Sequence, residues 1–435
     1  MAKFKNLLGM NSRNLLFIAP SNPRRLKRLV DNKLLTKQIL KRAHLSAPKI
    51  YQVFESKKDL DNFDWKSLPN SFVIKPARGF GGEGILVVFG KKKHGWSKQD
   101  SSEINISDIK MHILDILDGN FSMNNAPDTA FIEQKVKTHR FFKRISFRGT
   151  PDIRVIVYNK IPVMAMLRLP TRDSGGRANI HQGAVAVGVE IASGITTRAW
   201  WKNRTIRYFP GTKRKLNGLK IPEWEQILYL ASEAQQAVGL GYLGVDIVLD
   251  REDGPQILEL NARPGLAIQL ANLSPLKRRL ERVEDLKIKD TEKAIRVAKE
   301  LFGGEIIREI QDASGKRVLG MLEPVKIITK KQHLDVVAKT DTGAFRTSID
   351  QKIAAELSLD KKVIGSKKVH SSHGHQVRPL INLIFIISGK KIKTAATIAN
   401  RGDLRRDMII GRRDLKNFII DPAKKTTLKQ VYKKE

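Results

Sequence analysis

Residues 31–46, DNKLLTKQILKRAHLS, place apolar side chains at helical spacing and predict a helix. Pro48 then starts an extended segment. The short β-rich run Ser71–Pro76, SFVIKP, leads into a glycine-rich turn and a further strand over Gly84–Phe89. Phe131–Val136 has the same character. The apolar runs Asp152–Tyr158 and Ile161–Leu167 are separated only by Asn159-Lys160, which predicts a hairpin. A helix is expected over 223–238. A second hairpin is expected from Tyr242–Asp250 and Pro255–Asn261 across the turn Arg251-Glu252-Asp253-Gly254. The pattern changes near residue 275. Residues 274–310 are highly charged and helical in spacing, which reads as a closing helix plus a linker. From Gly320 the chain becomes short β runs with turn signals: LEPVKII, DVVAKTDTG, NLIFII, IKTAATIA and DMIIG. They predict a small all-β domain.

At 435 residues the chain is too long for one core, so roughly two or three domains are expected. The absence of cysteine excludes a disulfide framework and a cysteine-based zinc site. The opening MAKFKNLLGM lacks the apolar run and small-residue cleavage site of a signal peptide. The longest apolar stretch, Leu380–Ile387, is far too short to span a bilayer. These features lead us to expect a cytoplasmic protein without a membrane span. The formal charge of +36 points to an anionic partner: nucleic acid, the ribosome, anionic lipid or an acidic polypeptide. The basic residues are spread along the chain, however, and a merely solvated basic surface explains them slightly better. Only Lys91-Lys92-Lys93 and Lys213-Arg214-Lys215 form runs, and both read as loops.

Two groups of residues carry candidate chemistry. Lys33 and Lys75 can contact phosphate, and Lys75 runs directly into a loop containing Gly79, Gly81, Gly82 and Gly84. Backbone N–H groups of such a loop can lie over phosphate oxygens, although a glycine-rich turn alone is weak evidence. The second hairpin is sharper. Glu259 and Asn261 stand two apart on one strand and share a face, and a symmetric turn puts Asp246 opposite Glu259. Two carboxylates and an amide oxygen are the hard ligands that Mg²⁺ prefers, with Mn²⁺ as the alternative ion. The competing reading is a salt-bridged strand face with Arg263 as partner. Arg154, Arg168, Arg177 and Arg263 can form forks to a carboxylate or a transferring phosphoryl group. Arg154 lies in an apolar strand and requires an anionic partner, for which Asp152 is the simple alternative. Asn179 and His181 lie in a polar loop that can orient substrate, or His181 is a plain surface histidine.

The segments NPRRLKRLVDNKLLTKQIL, FVIKPARGFGGEGILVV, PDIRVIVYNKIPVMAMLRLPTR, RANIHQGAVAVG and GYLGVDIVLD…ILELNARPGL follow one another over most of residues 9–282. In that order they resemble the ATP-grasp family, and most closely its alpha-L-glutamate-ligase-like members. The resemblance implies ATP-driven activation of a carboxylate as an acyl phosphate, followed by attack of an amine. Glutamate is the favoured amino acid, and a peptide or protein the acceptor. By the same resemblance Lys33 and Lys75 bind ATP phosphates, and Glu133, Gln134, Lys135 and Val136 lie at the adenine hinge. Asp246, Glu259 and Asn261 bind Mg²⁺, and Arg154 stabilises the phosphoryl group. Relatives carry a longer N-terminal domain; only about thirty residues precede Lys33 here.

Near the C-terminus, Asp341-Thr342-Gly343-Ala344 follows an apolar run, and Met408-Ile409-Ile410-Gly411-Arg412 comes later. With AKTDTGAFRTSID, VHSSHGHQVRPLI and ANRGDLRRDMIIGRRDLKNFIIDP they resemble a retropepsin-like family named for ATP-dependent zinc proteases. That resemblance implies hydrolysis of related amide bonds. An aspartic site needs two carboxylates sharing a proton. Asp173-Ser174-Gly175 has no strand before it, so two chains must each supply Asp341, which implies a homodimer. His370, His373 and His375 read as a polar flap loop rather than a zinc site. The expected architecture is therefore an α+β ATP-grasp fold over 1–282, a charged helical linker over 283–318, and a small all-β retropepsin-like domain over 319–435. The competing functions are a non-catalytic nucleotide- and peptide-binding protein, and a basic nucleic-acid-binding protein.

Overall fold

A computed structural model describes residues 7–79, 81–98, 101–122, 125–303, 317–329, 332–371, 374–401, 406–421 and 424. The chain divides into two compact units, Met1–Gly304 and Glu305–Glu435.

Among the described residues, the first unit holds two main antiparallel sheets and a small three-stranded one formed by Gly90–Lys92, Gly95–Ser97 and Glu103–Ile104. The smaller main sheet contains β1 (Ile50–Phe54), β2 (Phe72–Pro76), β3 (Leu86–Val88) and β4 (Ala130–Gln134), in the order β1-β4-β2-β3. Phe54, Phe72, Ile74 and Ile132 pack against Ile109, Ile113 and Ile116 of an amphipathic helix, Ile106–Leu117. The larger sheet has seven strands: β5 (Asp152–Tyr158), β6 (Ile161–Leu169), β7 (Val185–Val189), β8 (Thr196–Trp201), β9 (Arg204–Ile206), β10 (Tyr242–Asp250) and β11 (Gly254–Asn261), in the order β9-β8-β7-β6-β5-β10-β11. The helix Trp224–Val238 packs Ile227, Leu228, Ala231, Ala234 and Val238 into its core. Every residue of β10 is buried, so the two carboxylates of this strand, Asp246 and Asp250, lie inside the unit.

The expected helix forms over Lys33–Arg42, where the Asn32 side chain caps it by accepting from the N–H groups of Leu34 and Leu35. The hairpins also form. Asn159 and Lys160 take φ of 50° and 67°, the paired left-handed conformation of a two-residue hairpin turn. Two expectations need correction. The linker placed from residue 283 begins inside this unit: Val283, Ala294, Ala298 and Phe302 belong to the large core, the last three on the helix Thr291–Phe302. Lys91 and Lys92 lie in a short strand, Gly90–Lys92, rather than in a loop.

The second unit is an all-β barrel. The strands of its seven-stranded sheet are β12 (Leu322–Ile328), β13 (His333–Asp341), β14 (Ser348–Asp350), β15 (Val363–Ser371), β16 (Gly374–Ile387), β17 (Lys390–Ala399) and β18 (Met408–Gly411), and Arg317–Leu319 and Phe418–Ile420 form a separate parallel pair. The order is β12-β13-β18-β14-β17-β16-β15, and a β12–β16 pairing closes it. Strand β18 runs between the two strands that flank the Asp341 turn, parallel to β13 and antiparallel to β14. Among the described residues of the chain, no helix is long and apolar enough to cross a membrane.

The Asn159 side chain ties the first hairpin to the chain beyond β11, donating to the carbonyls of Val283 and Leu286, both at 2.8 Å. Asn159→Ala loses these bonds and the tolerance of asparagine for positive φ. It is expected to lower stability by about 1–3 kcal/mol, measured by chemical denaturation.

Candidate functional site

The four- and seven-stranded sheets of the first unit are joined by the residues after β4, where Thr138 bridges Asp250, and by the first turn of the Lys33–Arg42 helix. The main-chain N–H of Lys33 donates to Ala77 O at 2.9 Å, which places that turn beside the glycine loop. Its ammonium then reaches both sheets: Nζ donates to Gly79 O at 2.7 Å and lies 3.6 Å from Glu259 Oε1. Gly81 and Gly82 take φ of 64° and 84° with open space where a Cβ would stand, so the loop presents bare backbone.

Beneath that loop lies a buried charge cluster. Glu133 on β4 is 1% exposed and forms ion pairs with Lys75, at the end of β2, and with Lys37, whose Nζ is 2.8 Å from Oε2. That contact is close but off-line, so Oε2 has no aligned hydrogen-bond donor. Burial would raise the Glu133 carboxyl, but Lys75 and Lys37 overcome it and hold the group below its usual range. Burial in turn lowers the Lys37 ammonium. Lys37 escaped the sequence reading. Its signal was position: it follows Lys33 by one helical turn and therefore shares its face.

A second buried network spans β5, β6 and β10. Asp246 accepts from Arg154 Nε at 2.6 Å and Nη2 at 2.7 Å, from Arg168 Nη2 at 2.7 Å, and from Asn261 Nδ2 at 3.1 Å. Arg168 also forks onto Asp152, at 2.5 and 2.7 Å. Burial pushes the Asp152 carboxyl up to about 6, against the pull of Arg168. Burial acts on Asp246 too, but two guanidinium groups reach it and bring it down to about 2. Asp246 pairs with Glu259, but not through a symmetric turn: the hairpin is centred on Glu252, with Asp250 opposite Gly254, and a bulge between Asp246 and Ile247 shifts the register by one to bring the two carboxylates opposite.

The connection after β4 is fastened to the β10–β11 hairpin. Asp250 Oδ2 accepts from the N–H of Lys137 at 2.6 Å, and Oδ1 from the N–H groups of Glu252 and Asp253 at 2.7 and 3.1 Å. Gln134 Nε2 donates to Asp253 at 2.7 Å. The Lys135 ammonium sits over the Phe89 ring, 4.6 Å from its centroid.

The family model for sugar-transfer associated ATP-grasp proteins matches residues 12–285. This chain belongs to that ATP-grasp family. ATP and Mg²⁺ are the cofactors that come with membership. A curated relative is the tetrahydromethanopterin:alpha-L-glutamate ligase of Methanocaldococcus jannaschii, 28% identical over 234 residues, or 54% of this chain and 58% of that enzyme's length. Among solved structures, the D-alanine–D-alanine ligase of Bacillus anthracis in complex with ATP is 14% identical, with a TM-score of 0.33 over 62% of this chain and 67% of its own. The L-amino acid ligase of Bacillus licheniformis is also 14% identical, with a TM-score of 0.34 over 60% and 47%.

In this ATP-grasp chain several side chains stand apart from their expected places. The partner of Arg154 is Asp246, because Arg168 across β6 already occupies Asp152. Arg263, read as a substrate fork with a salt bridge to the second hairpin as the competing reading, binds Asp31 at 2.9 Å. Arg168 is part of the buried network rather than an open fork. Arg177 and His181 are exposed in the loop after β6, and Asn179 caps the N–H of His181 at 3.0 Å. Glu133 turns its carboxylate to two lysines. Lys33, Glu259, Asn261, Asp246 and Arg154 do converge.

The donor set suits a hard divalent cation. Glu259 is 41% exposed and its nearest ion pair is long. Asn261 turns its amide nitrogen to Asp246, which directs its carbonyl oxygen elsewhere. Asp246 Oδ1 receives only Arg154 Nε, leaving one lone pair. Among the described residues no cluster of three His, Cys, Asp or Glu side chains occurs, so the donors gathered here are two carboxylates and one amide oxygen.

Removing the charge of Asp246 leaves two buried arginines with one carboxylate. Asp246→Asn is expected to cost about 3–5 kcal/mol at neutral pH in chemical denaturation, while Glu259→Gln stays within about 1 kcal/mol. The folded carboxyl of Asp246 lies below its ordinary value, so its contribution is complete above that value. It is lost as pH falls towards about 2. The gap between wild type and Asp246→Asn should narrow over that window.

Proposed function

We propose that the first unit is an ATP-dependent carboxylate–amine ligase, with glutamate the favoured amino acid and a peptide or protein as the other substrate. The observation that carries this reading is the convergence of Lys33, the glycine loop, Glu259, Asn261 and Asp246 where the two sheets meet. With Mg²⁺ bound, ATP would give its γ-phosphoryl group to a substrate carboxylate, releasing ADP and leaving an acyl phosphate, and attack of an amine would then expel phosphate and yield the amide. Asp246, Glu259 and Asn261 hold the metal. Lys33 and Lys75 neutralise phosphate oxygens, and Gly79, Gly81, Gly82 and Gly84 let the backbone approach them. Gln134, Lys135 and Val136, next to Glu133, edge the base. Arg154 is fixed by Asp246 and aims positive charge at the phosphoryl group. Arg168 holds Asp246 and Asp152 in place. Arg177, Asn179, His181 and Arg263 line the side open to substrate.

For the second unit we propose a retropepsin-like aspartic half-site. Asp341 Oδ1 accepts from the N–H groups of Gly343 and Ala344 at 3.0 and 3.1 Å, which fixes the carboxylate in its turn and leaves Oδ2 outside these bonds. A second copy brings its own Asp341, and the pair shares one proton to activate water. His373 lies outside the described residues, and zinc has no part in this reading.

Glu259→Ala is expected to abolish ADP release from the purified chain given ATP, Mg²⁺ and each amino acid in turn, with an unchanged thermal transition. ADP release near the wild-type rate overturns the metal assignment. Asp341→Asn should remove hydrolysis of amide-linked peptides while ADP release continues. A pH profile of that hydrolysis should show two apparent pKa values belonging to the pair, and activity from a strict monomer contradicts the half-site.

A further inference from the structure

The edge of the large sheet carries a charge pattern that the phosphate and metal site does not use. Residues 137–148 contain five lysines or arginines and no acidic residue, and residues 196–222 contain eight and none. The fold brings parts of both stretches to the loop that follows β6. Arg214 Nη1 donates to Arg144 O, and the N–H of Phe147 donates to Pro170 O at 3.0 Å. Arg148 and Arg172 lie 5.5 and 5.4 Å from the centroid of the Phe147 ring. Trp201 Nε1 donates to Gly183 O at 2.9 Å, and Lys202 and Arg204 lie 4.8 and 5.7 Å from the centroid of its ring. Arg144, Arg148, Arg172, Lys202, Arg204 and Arg214 are all exposed. Asp173, paired with Lys202, is the sole acidic residue in 137–148, 171–184 and 196–222.

We propose that this face docks an acidic polypeptide and feeds it to the ligase site as the substrate whose carboxylate is activated. The proposal rests on the ligase reading above. Three observations support it. The loop begins where β6 ends, one residue beyond Arg168, so this face is carried on the strand that supplies Arg168 to the Arg168–Asp246–Arg154 network. Guanidinium groups held on aromatic rings are presented as oriented forks, which match carboxylates two bonds at a time. The same stacking covers Phe147 and Trp201 with two cations each, which takes these rings from nucleotide bases that would stack on them. The chemistry points the same way, since an acidic peptide brings carboxylates to activate and a nucleic acid brings none.

The test uses the full chain without ATP, and fluorescence anisotropy of a labelled oligoglutamate peptide. Binding should weaken as salt is raised. Arg148→Glu/Arg172→Glu should weaken it by at least about tenfold, while the same reversal at Lys361 and Lys362 in the second unit changes it by less than about twofold. Lys202→Glu/Arg204→Glu serves if the first pair misfolds. Equal losses from both faces, or no binding at low salt, overturn the proposal. So does tighter binding of a single-stranded oligonucleotide of equal charge that the Arg148/Arg172 reversal abolishes, which assigns the face to nucleic acid. A chain that binds oligoglutamate through this face yet releases no ADP overturns the ligase reading and leaves the docking face standing.

Discussion

Everything in the first unit depends on matching the charges of carboxylates that its strands bury. Glu133, Asp152 and Asp246 are each no more than 3% exposed. An unmatched carboxylate at such depth costs far more than any single packing contact returns. The chain answers with Lys37 and Lys75 on one side and Arg154 and Arg168 on the other. Each matching cation comes from a neighbouring element, so the ion pairs also fix how β2 meets β4 and how β5 and β6 meet β10. The architecture of the sheets and the placement of the chemistry are one arrangement.

Much of this was legible in order of residues alone, where local rules decide. Asn159-Lys160 demanded a left-handed pair, whereas Asp246 comes opposite Glu259 through a bulge beside it that the turn length did not foretell. What could not be read was which cation takes which anion. Arg154 and Arg168 sit on adjacent antiparallel strands, and the choice between Asp152 and Asp246 turns on cross-strand register and side-chain reach rather than on spacing along the chain. Arg263 was equally undetermined, because Asp31 is distant in sequence and near only in the folded unit. The limit of the linker failed for a related reason. The helix Thr291–Phe302 is charged enough to read as solvent-facing, yet Ala294, Ala298 and Phe302 form a narrow apolar stripe that packs on the sheet.

The second unit shows the same division between local and distant information. The Asp341 turn was evident from three residues, but the threading of β18 between β13 and β14 joins segments far apart in the chain. Gly411 illustrates the constraint: a Cβ there would stand 2.5 Å from the backbone of Arg346, so only glycine allows the two segments to meet so closely.

The cluster under the glycine loop holds an excess of positive charge, three ammonium groups of Lys33, Lys37 and Lys75 against the carboxylates of Glu133 and Glu259. The mutual repulsion of those cations is a standing penalty on the empty fold. A polyanion seated there relieves it, so part of the affinity for such a ligand comes from relaxation of the protein itself. By mass action any polyanion that the cluster binds acts as a structural ion and raises the unit's resistance to unfolding in step with its concentration.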